Sequence, residues 1–326
     1  MRWITGAVAL ATLLVPAAAF ADTIRVVPGE GNPIQEAFDA AQDGDVILIT
    51  KGAYPAGASL SGRADITVRG VGKPVIEDTT GEAHGLSFGN VAGLTIQGLV
   101  LRNTGYDGLY FDSCSDVAIS KCAFEEIGQA AIEDRHSVGF AVARCSVDGA
   151  GAGFVLSANQ PDPGTSGIVV KRNRFLDTLG TAIDFKGEGA VVMGNRILSI
   201  GLGGIVAQSG ASTTGALIEG NRVESVQYGI SVAGSGHVVA RNRVAGCQSD
   251  GLTVVSPGGC TVESNVITDC AGYGMRIDSM GNVVRRNRIS GSGLKDLGSS
   301  VLEENNTYEK NRYETSQFGI SEGPPI

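Results

Sequence analysis

Three pairs of polar residues, each pair two positions apart, carry side chains suited to chemistry: Tyr110 and Asp112, Glu133 and Arg135, Asp184 and Lys186, with His136 directly after the second pair. Each pair follows an apolar residue (Leu109, Ile132, Ile183). On an extended chain both members of a pair therefore point to the same, outward side. An outward arginine or lysine can neutralise a carboxylate on a bound molecule, which lowers the cost of taking a proton from the adjacent carbon. Arg135 or Lys186 fits that role, and the other of the two, Tyr110 or His136 could exchange the proton. Asp112, Glu133 and Asp184 offer the oxygen ligands that hold Ca²⁺, and two of these carboxylates could instead serve as acid and base in glycoside hydrolysis. Glu133/Arg135 and Asp184/Lys186 equally suit ordinary surface ion pairs, which contribute little.

The elements that must position these residues are repeats. Asn173, Asn195, Asn221, Asn242, Asn265 and Asn287 open matching segments spaced 22, 26, 21, 23 and 22 residues apart. Each has an apolar residue three before the asparagine (Val170, Val192, Ile218, Val239, Val262, Val284) and another two after it (Phe175, Ile197, Val223, Val244, Ile267, Ile289). A third follows nine or ten after it (Ile183, Ile205, Ile230, Leu252, Met275). Short apolar runs divided by Gly/Ser/Asp turns predict three strands per unit. Units of about 22 residues stacked in register make an all-β parallel β-helix. A leucine-rich repeat would need L-x-x-L-x-L spacing, whereas valine and isoleucine dominate here. Cys122 and Cys145 take the asparagine position earlier in the chain, followed by Phe124/Ile132 and Val147/Val155, and Gly98-Leu99 opens a still earlier coil.

An inward asparagine at a sharp turn can hydrogen-bond its own backbone and the asparagines above and below it. The ladder is therefore read as structural. Arg174, Arg196, Arg222, Arg243 and Arg288 follow it directly, interrupted by Val266. Stacked like charges repel unless an anion lies between them. Glu219, Glu224 and Glu263 are expected to supply that charge, and the other reading of the row Arg174, Arg196, Arg222 and Arg243 is a track that binds an acidic glycan. Cys122 with Cys145, and Cys247 with Cys270, hold equivalent positions in adjacent coils. In-register side chains keep their Cβ atoms apart, so packed thiols are expected rather than disulfides. His237 aligns with Cys260 and reads as a packed or turn histidine.

Residues 1–21 combine Arg2, an apolar run and Ala19-Phe20-Ala21, the pattern of a secretory signal peptide cut before Asp22. Later stretches fall short of the roughly 20 apolar residues a membrane span needs. Loss of Arg2 with the leader takes the net charge from −9 to −10, which argues against nonspecific binding to nucleic acid or anionic lipid. The expected organisation is a leader over 1–21, an N-terminal cap over 22–60, coils over 61–305 and a tail over 306–326. In the cap, Ile34, Phe38 and Ala41 recur at helical spacing before Gly44, predicting a short helix that covers the first coil.

The segment NPIQEAFDAAQDGDVILITKGAY, leading into asparagine-ladder coils, resembles the right-handed parallel β-helix (pectin-lyase-like) superfamily, which holds pectate lyases, polygalacturonases, alginate epimerases and many exported proteins. The resemblance covers nearly the whole mature chain, and its motifs specify a fold rather than an activity. It implies a substrate groove along the outside of the last strand of each coil. Outward positions there read Tyr110 and Asp112, Glu133 and Arg135, Leu156 and Ala158, Asp184 and Lys186, Val206 and Gln208, then Ser231, Thr253, Arg276 and Asp278. Two long turns, 157–167 and 209–215, are expected to wall a cleft over the early pairs. The polygalacturonase NTD and DD motifs are missing, and YFDSCSD at 110–116 lacks the histidine of the epimerases' DPH motif. The implied function is an exported protein, periplasmic or secreted, that acts on or binds an acidic polysaccharide as a lyase or epimerase, with Ca²⁺ as a candidate cofactor. The alternative is a noncatalytic structural or adhesive solenoid. Maturation of a periplasmic metal site is weakened by three scattered histidines and the lack of methionine clusters.

Overall fold

The computed structural model describes residues 21–156, 167–209, 213–301 and 305–315. The expected leader apart from Ala21, the turn 157–167 apart from Gly167, and residues 210–212 of the second turn lie outside the described residues.

The apolar spacing of the repeats becomes the stacking register. The residues three before each asparagine pair coil to coil, Val170, Val192, Ile218, Val239, Val262 and Val284 in one file. A second file runs Phe175, Ile197, Val223, Val244, Ile267 and Ile289. A third runs Ile183, Ile205, Ile230, Leu252, Met275 and Leu297. All three files are buried. The first belongs to sheet 1, thirteen parallel strands among the described residues, from Thr23–Val26 to Thr307–Glu309. The second lies in sheet 2, which follows the asparagines, and the third in sheet 3, which closes each coil. In four coils sheets 2 and 3 merge into one continuous strand: Ala123–Arg135, Ser146–Leu156, Arg196–Ala207 and Arg222–Ser235. The chain is thus a parallel β-helix with a three-sided core.

The helix Pro33–Ala40 has Asn32 as its cap, whose side chain accepts from Gln35 N at 3.1 Å, and Pro33 in its first turn. Its buried face, Ile34, Ala37 and Phe38, closes the first coils, and the Phe38 ring lies 5.8 Å from that of Phe88. Sheet 1 begins before the helix, because Thr23–Val26 pairs with Val46–Ile49.

The asparagine ladder forms as its chemistry requires. Each Nδ2 donates to the next Oδ1 at 3.0–3.1 Å, from Asn173 through Asn195, Asn221, Asn242, Asn265 and Asn287 to Asn311. Each Oδ1 also accepts from the preceding asparagine's backbone N–H, as from Asn195 N to Asn221 at 2.9 Å. A second, shorter ladder that the repeat pattern did not single out joins Asn282 to Asn306 at 2.9 Å. All six cysteines are buried free thiols.

One register differs from expectation. Phe154, not Val155, pairs with Ile132 and Ile183, so Leu156 points inward and Val155 outward. The triplet Phe154-Val155-Leu156 is apolar throughout and has no alternation to reveal its phase. Ala158 lies outside the described residues.

Candidate functional site

On the outer face of sheet 3, successive coils place Tyr110, Glu133, Val155, Asp184 and Val206 in one file. Asp112 and Arg135 lie beside them in the next. Strand alternation aims all of them outward while Phe111, Asp134 and Phe185 point into the core.

Five of the expected residues come together on two neighbouring coils. Arg135 Nε lies 3.3 Å from Glu133 Oε1, and its guanidinium sits 5.4 Å from the centre of the Tyr110 ring. His136 Nδ1 lies 2.9 Å from Asp112 Oδ1. Two residues outside the expected set complete the cluster. The His84 ring lies tilted against Tyr110 with centroids 4.8 Å apart, and His84 Nδ1 lies 3.1 Å from Asp107 Oδ2. Asp107 is almost fully buried, and its other oxygen accepts from Ala130 N at 2.9 Å. The signal was in the sequence: His84-Gly-Leu and Asp107-Gly-Leu recur 23 residues apart, at the same place in adjacent coils.

The carboxyl groups differ in their electrostatics. Burial pushes the Glu133 carboxyl above its ordinary range, reinforced by the negative Asp107 and Asp184 and opposed by Arg135. The hydrogen bond from His136 holds Asp112 below the ordinary range against some burial. Burial also raises Asp184, opposed by the hydrogen bond from Gln208 Nε2 to Oδ2 at 2.8 Å. Its Oδ1 is buried with no hydrogen-bond partner among the described residues.

Asp184 and Lys186 stand two coils beyond Glu133 and Arg135, with the Val155 strand between. Asp184 instead borders a depression of about 470 Å³ further along the same face, lined also by Leu202, Tyr228 and Asp250. Among the described residues no three acidic, histidine or cysteine side chains gather around a common point that could hold a metal. Asp112 is engaged by His136, and Asp184 is separated from Glu133 by a whole strand. Asp112, Glu133 and Asp184 therefore do not fit a shared Ca²⁺.

The arginine row forms in register on the outside of sheet 2, Arg174, Arg196, Arg222, Arg243, then Val266 and Arg288. Its compensation differs from expectation. Glu224 pairs with Arg222 at 2.7 Å, but Glu219 pairs with Arg241, and Glu263 with Arg285 at 2.7 Å. Glu219 and Glu263 end sheet 1 strands, and their nearest cations are on the neighbouring coil of that sheet or its corner. His237 is buried as expected, its Nδ1 accepting from Ala216 N at 3.1 Å.

The family model described as "Right handed beta helix region" matches residues 65–223 and 181–322. The chain belongs to the right-handed β-helix family. Among solved structures it is similar to the A-module of the Azotobacter vinelandii mannuronan C-5 epimerase AlgE6, with 16% identity, TM-score 0.65 and coverage of 93% of this chain and 100% of that one. It is similar to the periplasmic alginate epimerase AlgG at 12% identity and TM-score 0.59, covering 84% and 77%. An alginate lyase from Paenibacillus sp. str. FPU-7 matches at 15% identity and TM-score 0.52, covering 92% and 99%. At such identities these likenesses establish the fold. No curated protein matches the chain in sequence.

Proposed function

We propose that the chain acts on an acidic polysaccharide at the outer face of sheet 3, in the periplasm or outside the cell, by moving the proton on the carbon next to a uronate carboxylate. The observation that carries this reading is Arg135, an outward guanidinium set against a phenol and a carboxylate of raised proton affinity. By their names the epimerases of similar fold act on mannuronan and alginate and the lyase on alginate, polymers of this class.

Arg135 would exchange its pairing with Glu133 for the substrate carboxylate, a charge-assisted bidentate contact. That withdraws electron density from the adjacent carbon and stabilises the carbanion left when its proton departs. Tyr110, held between Arg135 and His84, is the group placed to exchange that proton. His136, oriented by Asp112, is the second proton carrier, one file of side chains away. If the carbanion regains a proton on its opposite face, the sugar is epimerised. If it expels the glycosidic oxygen at the next carbon, the chain is cleaved and a double bond remains. Asp184 and Lys186, further along the groove, would contact neighbouring sugars.

The test is incubation with alginate, polygalacturonate and glycosaminoglycans, following ultraviolet absorbance for the unsaturated product and deuterium uptake from heavy water at the carbon beside the carboxylate. Either signal, lost in Arg135→Ala, is expected. Neither signal on any of these polymers would overturn the proposal in favour of a noncatalytic solenoid.

A further inference from the structure

We propose that the corner between sheets 1 and 2, in the first half of the solenoid, is a second binding site for a linear carboxylated glycan, separate from the face of sheet 3. Lys121, Arg144 and Arg172 hold the same corner on three successive coils, each directly after a sheet 1 position aligned in register. With Lys171 they line a recess of about 740 Å³ that also takes in Gln97 and Met193.

Coils stack about 4.8 Å apart, so these cations form a file of like charge that repels itself unless an anion lies along it. Among the described residues none of the four has a carboxylate within ion-pair distance. Two later cations on this edge are paired internally, Arg241 at the corner with Glu219 and Arg285 at the strand end with Glu263. The positions equivalent to Glu219 and Glu263 in the early coils are Gln97, Ser120, Ala143, Lys171 and Met193, none of them acidic. In a chain of net charge −9, three successive corner cations and Lys171 are thus left without a carboxylate partner among the described residues.

The backbone conformation at this corner is common to the solenoid: Lys121, Arg144 and Arg172 have φ of 56°, 58° and 57°, in the left-handed region, as have Arg241, Ser264, Arg286 and Lys310, while Gly98, Gly194 and Gly220 fill the corner on other coils. Glycine adopts that conformation freely, so the corner accepts glycine without strain.

The form of the site selects its ligand. One cation per coil along the axis matches a linear polymer whose charges recur along its length. The lining offers no aromatic ring on which a base could stack, and the overall acidity repels nucleic acid and anionic bilayers. The polymer class is taken from the function proposed above and rests on it, but the site rests on its own charges.

The test uses the full chain with Lys121→Gly, Arg144→Gly and Arg172→Gly together. Glycine already occupies this corner on three other coils, so the variant is expected to keep its fold, checked by its thermal unfolding. In an Arg135→Ala background, which disables the sheet 3 site, affinity for polygalacturonate and alginate should fall about tenfold or more, with a weaker salt dependence. With Arg135 intact, KM for long polymer should rise while turnover of short oligouronates is unchanged. Unaltered polymer affinity in the triple variant overturns the inference even where turnover stands, as does a parent that holds no polyuronate or prefers duplex DNA. Lost polymer binding in a chain that turns nothing over keeps the corner and sinks the sheet 3 reading instead.

Discussion

His136 on one coil reaches Asp112 on the coil before it, Nδ1 to Oδ1 at 2.9 Å. The YFDSCSD segment has no histidine of its own, and the fold brings one in from 24 residues further along the chain. The contact depresses the Asp112 pKa. A carboxyl lowered on folding stabilises the protein above its unfolded pKa, and the gain is lost as pH falls through the folded value. With both side chains more than a third exposed, solvent screens most of that gain. Asp112→Asn and His136→Ala should therefore leave thermal stability nearly unchanged. If the pair orients a proton carrier, each should lower turnover by roughly 10²-fold, and the double variant by no more than either alone. Steady-state kinetics beside thermal melts checks this, and an additive double variant would break the pair into two independent residues.

Arg135 makes a sharper comparison. Its planar guanidinium touches Glu133 and Tyr110 at once, which a lysine ammonium cannot reproduce. Arg135→Lys should keep charge and fold yet lose most of kcat/KM, and Arg135→Ala should lose about 2–3 kcal/mol of transition-state binding, roughly 10²-fold. Glu133→Gln releases the guanidinium from its present partner and should lower KM. A lysine variant with parental kinetics would show that position and charge alone suffice.

Sequence and structure agree where a residue's type constrains its place. The asparagines and the valine and isoleucine files are legible because a buried amide must be paired and a coil core must be filled. Phase was lost at Phe154-Val155-Leu156, where three apolar residues fit either face, and with it the fact that Val155 parts Glu133 from Asp184. The partnership of His84 with Asp107 escaped because neither follows a core apolar residue. They precede one by two, at the turn into sheet 3. Which glutamate serves which arginine was also hidden, since ion pairs here cross between coils and sequence proximity carries little of that geometry.

The asparagine ladder predicts a graded loss. Asn221 Nδ2 donates to Val192 O at 2.9 Å and to Asn242 at 3.0 Å, while its Oδ1 accepts from Asn195 N and Nδ2. Asn221→Ala takes a partner from all four groups in a buried interior, leaving Asn242 Oδ1 with the backbone N–H of residue 221 and Asn195 Nδ2 with Val170 O, and should cost about 3 kcal/mol. Asn306→Ala, at the partly buried end of the second ladder, should cost about 1 kcal/mol. Denaturant midpoints measure both, and equal losses would mean that the stacked amides add nothing beyond local turn bonds.

Asp134 presents the opposite case, a carboxyl that the fold tolerates at a loss. It is fully buried, in register between Phe111 and Leu156, and among the described residues neither oxygen finds a partner at hydrogen-bonding geometry. Burial pushes its pKa up to about 6, with Ser137 nearby giving only partial relief. Because the folded value exceeds the unfolded one near 3.8, the native state binds more protons between them. Stability from this residue is therefore fully present below about pH 4 and declines as pH rises through 6, by about 3 kcal/mol. Asp134→Asn removes the charge but keeps an unpaired polar group, so it should flatten this part of the pH profile and raise the melting temperature modestly at neutral pH. Asp134→Leu, which keeps the branched shape and matches Leu156 on the next coil, should raise the melting temperature further where the core accepts the two larger methyl groups. A melting temperature lowered at neutral pH by both substitutions would instead mean that the carboxylate finds partners in the core and that its burial is stabilising.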